Sequence, residues 1–234
     1  MVSLIIPAFN ERELIGSTVR RAARFLERLT DGFEIIVADD GSGDGTFDEA
    51  AAAGAVVTRS SENRGKGAAV RAGASLAQGE YLFFTDADLP YSLDFITRGA
   101  ALLKNCDMVR GNRYGDYPLK RKIASALYNR AAGAILGMEL RDAQCGIKGF
   151  TRRAAERIFP LCAVDGFAFD TEVLFLAHRL ALDVRQIDVA VSHRGASRVR
   201  LRRDGVQMLA DVLKIRDGYR AGEYRLYERL YGRY

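Results

Sequence analysis

The chain has 234 residues, 48% of them hydrophobic and 28% charged, which is the composition of a globular protein that can bury one substantial core. Its three cysteines include no CxxC pair, so the sequence indicates neither a disulfide framework nor a zinc site, and a cytoplasmic location is expected. The N-terminus lacks the pattern of a signal peptide, and no apolar run approaches the roughly 20 residues that cross a bilayer. Because no linker or internal repeat divides the chain, we predict one domain without a transmembrane helix.

The net charge of +5 is unevenly distributed along the chain. Residues 1–108 contain 11 basic and 16 acidic side chains, whereas residues 109–234 contain 24 basic and 14 acidic ones. A basic half attracts anionic lipid, phosphorylated substrates or nucleic acid, and a solvated basic surface is an equally ordinary interpretation. Nucleic acid is the least favoured of these partners, because the aromatic residues form no stacking motif.

The first part of the chain alternates between β-rich runs and helical patterns. The expected elements, in order, are a strand Val2–Ile6, a helix with apolar positions from Ile15 to Leu29, a strand Phe33–Ala38, a helix Thr46–Ala53, a strand Ala55–Thr58, a helix from about Gly67 to Gln78 and a strand Tyr81–Thr85. This order predicts an α/β fold with a mostly parallel sheet and helices on both faces. The weaker pattern after residue 108 predicts strands at Met108–Gly111 and Val184–Val191, and helices at Leu119–Leu136, Arg152–Phe159 and Glu172–Arg179.

Polar segments follow three of the predicted strands. Pro7–Glu11 follows the first strand, Asp39–Gly45 follows the second, and Asp86–Asp88 follows the strand that ends at Thr85. Because ligands bind at the carboxyl ends of strands in such sheets, we expect these segments to lie together and to form a site.

Asp86 and Asp88 place two carboxylates at the point where a strand leaves the sheet. Carboxylate oxygens suit Mg²⁺ or Mn²⁺, either of which can neutralise the charge on a departing nucleoside diphosphate. The D-x-D pattern also occurs by chance in many surface loops, so its context decides between a metal site and an ordinary loop.

Four segments, in order along the first ninety residues, supply that context. They are P-A-F-N-E from Pro7, D-D-G-S-G-D-G-T from Asp39, N-R-G-K-G from Asn63 and D-A-D from Asp86. Each alone is also an ordinary turn or helix-start sequence, but together they resemble glycosyltransferase family 2 and its single-domain GT-A fold. The resemblance implies Mg²⁺ or Mn²⁺ at Asp86 and Asp88, a UDP-sugar donor, and a nucleotide-sugar site formed by Pro7, Phe9, Glu11, Asp39, Asn63, Lys66, Asp86, Ala87, Asp88 and Gln144.

Motifs in the second half narrow this resemblance. Gly111–Arg113, Asp142–Phe150, Phe169–Glu172 and His193–Arg198 resemble the subset of the family that charges a polyprenyl phosphate. Within that subset, the Q-C-G-x-K and F-D-x-E motifs resemble the dolichyl-phosphate glucosyltransferase branch, which favours UDP-glucose as the donor. The mannose synthases typically carry a metal-binding glutamine where this chain has Pro90, and this departure argues against GDP-mannose.

The implied acceptor explains which side chains the reaction requires. A phosphate monoester is already an anionic nucleophile at neutral pH, so it needs cationic positioning more than a general base. We predict that this acceptor phosphate is held by Arg113, Arg194, Ser197 and Arg198. For Asp170 three interpretations stay open: a base toward a hydroxyl acceptor, a ligand of sugar hydroxyls, or a charged helix N-terminus. The predicted catalytic set is Asp86, Asp88, Arg113 and Asp170.

The C-terminal segment is basic and rich in tyrosine, a composition typical of a membrane interface. Met208–Ile215 is expected to pack on the core, and the last fifteen residues are expected to lie on lipid. The predicted division is a catalytic domain of residues 1–204, with a nucleotide-binding half (1–108) and an acceptor half (109–204), followed by a tail of residues 205–234.

These expectations combine into one hypothesis. The protein would be peripheral at the cytoplasmic face of a membrane and would transfer glucose, with inversion, from UDP-glucose to a polyprenyl or dolichyl phosphate. The alternatives are a family 2 enzyme that uses a glycan hydroxyl as acceptor or GDP-mannose as donor, and a non-catalytic nucleotide-binding scaffold. The intact acidic motifs argue against a scaffold, which does not require two carboxylates beside a phosphate site.

Overall fold

A computed structural model describes residues 1–115, 119–191, 201–222 and 224. Within these ranges the strands are β1 (Val2–Ala8), β2 (Phe33–Asp39), β3 (Val56–Arg59), β4 (Tyr81–Phe84), β5 (Met108–Tyr114), β6 (Lys148–Thr151) and β7 (Val184–Ala190). The α-helices are α1 (Arg12–Leu26), α2 (Thr46–Ala52), α3 (Lys66–Leu76), α4 (Asp94–Leu102), α5 (Leu119–Leu136), α6 (Arg152–Ile158), α7 (Phe169–Arg179) and α8 (Leu201–Ala221), and a 3₁₀ turn covers Phe159–Leu161.

The seven strands form one sheet in the order β3-β2-β1-β4-β6-β5-β7. All neighbours are parallel except β6, which runs antiparallel to both β4 and β5. The predicted mostly parallel α/β sheet is therefore confirmed. Parallel pairing brings the carboxyl ends of β1, β2, β3 and β4 to one edge, where the polar segments follow.

The sheet has helices on both faces because its central strands are apolar on both sides. In β4, Phe83 packs edge-to-face with Phe95 of α4, whereas the next residue, Phe84, contacts Phe169 of α7 on the opposite face. Each of these rings is fully buried and contributes roughly 2–3 kcal/mol. The small-residue composition of α3 also has a packing reason: a Cβ at Gly73 would meet Ile5 Cγ2 at 2.5 Å, so only glycine lets this helix approach β1.

Two elements differ from the sequence-based expectation. The short strand β6 contains a lysine and a glycine and shows no clear apolar alternation, and α4 follows the loop that contains Pro90; neither was predicted. Helix α8 runs through residue 204, the predicted end of the catalytic domain, and buries Met208, Val212 and Ile215 in the core as expected. Residues 225–234, most of the predicted lipid-facing segment, lie outside the described residues. None of the described helices is both long and apolar enough to cross a membrane.

Candidate active site

The loops after β1 and β2 are held together by a network of hydrogen bonds. The backbone N–H of Asn10 donates to Ser42 Oγ at 2.8 Å, and that of Glu11 donates to Thr46 Oγ1 at 2.8 Å. The backbone N–H of Gly43 donates to Asn10 Oδ1 at 3.1 Å. Asn10 has a left-handed φ of 52° and does not cap α1, so its side chain serves this connection between the loops.

Asp39, at the end of β2, carries one carboxylate oxygen to which none of the described residues donates a hydrogen bond. Its carboxylate is buried; Oδ1 accepts from Ser42 N at 3.0 Å, and Oδ2 lies 3.3 Å from Arg59 Nε in an ion pair. In the described part of the chain no group donates a hydrogen bond to Oδ2, and a buried carboxylate oxygen in that state is costly. The atom therefore fits a ligand that presents an N–H group at this edge.

Asp40 links the β2 loop to the segment before α3. Its two oxygens accept from the amides of Arg64, at 3.0 Å, and Gly65, at 2.7 Å. Burial raises the pKa of Asp40 above its ordinary value, and the two backbone donors oppose this shift. These bonds place Asn63 and Lys66 at the same edge as Asp39, as their grouping in the predicted nucleotide site requires.

The Asp86-Ala87-Asp88 turn leaves the sheet directly beside this edge. Asp86 is partly exposed, and its Oδ1 lies 2.8 Å from Lys66 Nζ, while Asp88 is exposed. The carbonyl of Ala87 accepts from Thr18 Oγ1 at 2.6 Å, which anchors the turn to α1. Two accessible carboxylates on an anchored turn fit Mg²⁺ or Mn²⁺, and the described residues contain no cluster of three or more His, Cys, Asp or Glu side chains that would complete the coordination.

Asp170 is a buried ion-pair partner of two lysines. Its Oδ2 lies 3.0 Å from Lys66 Nζ, and its Oδ1 pairs with Lys148 Nζ. Burial opposes ionisation of Asp170, but the two ammonium groups outweigh this effect and hold the pKa below its ordinary value. A carboxylate in this state is a weak base. Asp170 also lies in the first turn of α7, where a negative charge complements the helix dipole, so the helix N-terminus interpretation stays open.

Lys148 is the residue of this site that sequence reasoning missed. It lies within the Asp142–Phe150 motif, which by itself predicts no role for it, and its side chain is only 1% exposed. Its Nζ also donates to the carbonyls of Ala143, at 3.2 Å, and Cys145, at 2.8 Å. A lysine inside a short, otherwise non-charged segment was the available signal, because lysine is almost never buried without a specific partner.

Of the four residues predicted to hold the acceptor phosphate, the structure describes only Arg113. Arg113 forms a two-pronged interaction with Asp142, through its backbone N to Oδ2 at 2.7 Å and through Nε to Oδ1 at 2.8 Å. This interaction orients the guanidinium beside α5. Arg194, Ser197 and Arg198 lie outside the described residues.

Gln144, predicted to contact the nucleotide-sugar, lies in the segment between α5 and β6. Its Nε2 lies 3.4 Å from Met208 Sδ of α8. The neighbouring Gly146 donates its N–H to Tyr91 Oη at 3.0 Å and faces the Asp86 carboxylate so closely that a Cβ there would overlap with Oδ2. This segment therefore forms a wall of the site beside the acidic turn.

The sheet order and the acidic turn after β4 define a GT-A glycosyltransferase domain. Its fold matches glucosyl-3-phosphoglycerate synthase from Mycobacterium tuberculosis, solved with Mn²⁺, UDP and glucosyl-3-phosphoglycerate, at a TM-score of 0.71 and 24% identity over 93% of this chain and 80% of that one. The model of the glycosyl transferase family 2 matches residues 3–159. The chain belongs to glycosyl transferase family 2, and it is an enzyme of the hexosyltransferase type.

Several curated relatives are similar over most of this chain. The dolichyl-phosphate beta-glucosyltransferase of Dictyostelium discoideum is 28% identical over 96% of this chain and 76% of its own length, and that of Drosophila melanogaster is 30% identical over 96% and 77%. Glycosyltransferase AglD of Haloferax volcanii is 32% identical over 91% of this chain but only 36% of its own length. The resemblance to the dolichyl-phosphate glucosyltransferase branch is thereby confirmed.

Proposed function

We propose that this enzyme transfers glucose from UDP-glucose to a polyprenyl or dolichyl phosphate, with inversion at the anomeric carbon. The observation that carries the proposal is the acidic turn after β4 at the carboxyl edge of the sheet, where Asp86 pairs with Lys66 at 2.8 Å and Asp88 is exposed. The names of the relatives support the choice of donor and acceptor. Bound at the two aspartates, Mg²⁺ or Mn²⁺ would neutralise the diphosphate that leaves.

The nucleoside half of the donor is proposed to bind between the β1 and β2 loops. Asp39 Oδ2 needs a hydrogen-bond donor, and the ring N–H of a uracil is a group of the right kind. Pro7, Phe9 and Glu11 border the same edge, and the exposed face of Phe9 suits stacking with a base. The network that joins the two loops would keep this pocket in one shape before the donor arrives.

The state of Asp170 supports a phosphate acceptor over a hydroxyl acceptor. A sugar hydroxyl requires a base to take its proton, whereas a phosphate monoester attacks as an anion. Asp170 is paired with two lysines and has a lowered pKa, so it is poorly suited to accept a proton. In this proposal the lipid phosphate displaces UDP in a single step, which inverts the anomeric carbon, and Arg113, Arg194, Ser197 and Arg198 hold the acceptor.

The transfer assay uses purified enzyme, polyprenyl phosphate in detergent and UDP-glucose labelled in the sugar. We expect a labelled glycolipid that requires Mg²⁺ or Mn²⁺ and is not formed from GDP-mannose. Asp88→Asn should lower kcat at least 100-fold, because one oxygen ligand of the diphosphate site is weakened. Asp94→Asn, an exposed aspartate at the start of α4, is the matched control and should keep full activity.

Two outcomes would contradict the proposal. Transfer to a glycan hydroxyl without any glycolipid product would establish the hydroxyl-acceptor alternative. Binding of UDP-glucose without transfer to either acceptor would favour the non-catalytic alternative.

A further inference from the structure

Lys148 is buried at the centre of the site. Its side chain is only 1% exposed, so we do not expect it to contact a substrate directly. It lies in β6, where the antiparallel pairing with β4 places it opposite Phe84. Asp86 follows Phe84 by two residues. Its ammonium has three N–H donors, and the three described acceptors are Asp170, Ala143 O and Cys145 O. Because a buried ammonium requires partners, Lys148 holds these three acceptor groups in place.

One connection from Lys148 reaches Asp86 through a chain of ion pairs. Lys148 pairs with Asp170 Oδ1, Asp170 Oδ2 lies 3.0 Å from Lys66 Nζ, and Lys66 Nζ lies 2.8 Å from Asp86 Oδ1. Two ammonium groups and two carboxylates alternate in this chain, so it is neutral as a whole. Lys66 lies between two acids, and its ammonium contacts the acidic turn at Asp86.

A second connection reaches the other oxygen of the same carboxylate. By accepting from Lys148, the carbonyls of Ala143 and Cys145 hold the turn that ends at Gly146. Gly146 packs against Asp86 Oδ2. Lys148 thus influences both sides of Asp86 without contacting it.

We propose that Lys148 is a positioning residue that keeps Lys66 available to the donor diphosphate, an inference that rests on the proposed function. Lys148 balances the charge of Asp170, so Lys66 is shared between Asp170 and Asp86 and is not committed to Asp170. Asp86 would hold the divalent cation, and Lys66, which Asp170 keeps in place, would then pair with a phosphate oxygen of the donor. Without Lys148, Asp170 has Lys66 as its sole described ammonium partner and withdraws it from the diphosphate.

A double-mutant cycle tests this by calorimetric titration of UDP in the presence of Mn²⁺. We expect Lys148→Met to weaken UDP binding about tenfold and Lys148→Arg, which keeps the charge, to stay within about threefold of the wild type. The double variant Lys148→Met/Asp170→Asn should recover most of the loss, because no carboxylate then draws Lys66 away. Lys104→Met, at an exposed position after α4, is the matched control.

The change in UDP affinity from Lys148→Met to the double variant distinguishes a positioning role from a structural role. Recovery supports the inference, since two structural defects would add or worsen. A double variant as weak as Lys148→Met, or a folded Lys148→Met with unchanged affinity, overturns it. If the wild type binds no UDP, the proposed function itself fails; if the wild type binds and no recovery occurs, only the role of Lys148 fails.

A structure of the wild type with Mn²⁺ and UDP tests the same point even where Lys148→Met does not fold. We expect Lys148 to keep Asp170 and both carbonyls, and Lys66 Nζ to move from Asp86 to a diphosphate oxygen while it keeps Asp170. Lys66 remaining on Asp86, or leaving Asp170, overturns the inference.

Discussion

The carboxylate of Asp86 is held from two directions, by the ammonium of Lys66 on Oδ1 and by the backbone at Gly146 on Oδ2. A side chain with contacts on both oxygens loses little further freedom when it binds a ligand. In the proposed function this favours binding, because the ordering of the carboxylate has occurred during folding. Because Gly146 lies so close to Asp86, even the addition of one methyl group at position 146 is expected to displace the carboxylate.

Gly146→Ala is expected to disable the donor site and leave the fold intact. The added Cβ overlaps with Asp86 Oδ2, so the carboxylate must turn away from the position that it shares with Lys66. We expect the affinity for UDP with Mn²⁺ to fall at least tenfold, measured by calorimetry, with a small change in Tm. Gly205→Ala, in α8 with open space around it, is the control and should bind as the wild type does. Unchanged UDP affinity in Gly146→Ala would show that Asp86 does not take part.

At the level of elements, the start of α3 is bound to the loop before α7. The amide of Gly67 donates to Asp165 O at 2.7 Å, and a Cβ at Gly65, whose φ is +118°, would meet the same oxygen at 2.5 Å. The side chain of Asp165 pairs with Arg64, at 3.1 Å, and with Arg71. The glycines of the N-R-G-K-G segment are therefore required by this close approach, which places Lys66 next to Asp170.

Asp165→Asn should destabilise the protein by about 0.5–1 kcal/mol at pH 7, a small value because the ion pairs are partly exposed. Burial raises the pKa of Asp165, but Arg71 and Arg64 outweigh it and hold the pKa below the ordinary 3.8. Since the pKa is depressed in the folded protein, this stabilisation is complete above about 3.8 and is lost as pH falls below that value. Urea unfolding of both proteins between pH 7 and pH 3 measures the difference; a difference that grows on acidification would refute the assignment.

Helix α5 exposes a pair of large apolar side chains one turn apart. Ile123 is 52% exposed and Leu127 is 64% exposed, and Lys122 and Arg130 are exposed on the same helix. An apolar pair flanked by basic side chains suits contact with an anionic lipid surface, as the proposed acceptor would require.

The double variant Ile123→Ser/Leu127→Ser should bind anionic vesicles at least threefold more weakly than the wild type in a co-sedimentation assay. The reason is the loss of apolar area that would enter the lipid interface. Leu76→Ser/Leu102→Ser removes two exposed leucines from α3 and α4 and serves as the control. Equal losses in both double variants would show that α5 has no special part in binding.

For the molecule as a whole, the two halves of the chain meet in one site. Lys66 of the first half is shared between Asp86 and Asp170, and Asp170 belongs to the second half. A ligand that engages Asp86 and Lys66 therefore touches a network that connects α3, β4, β6 and α7. We expect such a ligand to stabilise the entire fold.

UDP with Mn²⁺, at a concentration of about 100 times Kd, should raise Tm by about 5 to 10 °C. Binding to the folded state alone supplies about 2.7 kcal/mol at that ratio, and a domain of this size gains about 2–4 °C per kcal/mol. Thermal melts with UDP and GDP, each with and without Mn²⁺, measure the effect. A larger shift with GDP than with UDP would contradict the proposed donor.

Much of the first half of the fold could be predicted, because its strands and helices are long enough to show their periods and are separated by clear turn motifs. The prediction failed at β6, where four residues with a lysine and a glycine contain no periodic signal. It also missed α4, which begins at Asp94 beyond Pro90. Both elements are stabilised by what packs against them, and that information is distant in the chain.

The amino-acid sequence alone determined the family, the parallel α/β sheet and the acidic turn at Asp86 and Asp88, because local motifs and apolar periods record these features over a few neighbouring residues. Only the tertiary structure decided that Asp170 is held by Lys66 and Lys148, and that Gly146 lies against Asp86. These partners are 104, 22 and 60 positions apart in the chain. The interaction between buried charges depends on their distance in space and on the exclusion of water. The spacing of residues along the chain predicts neither of these.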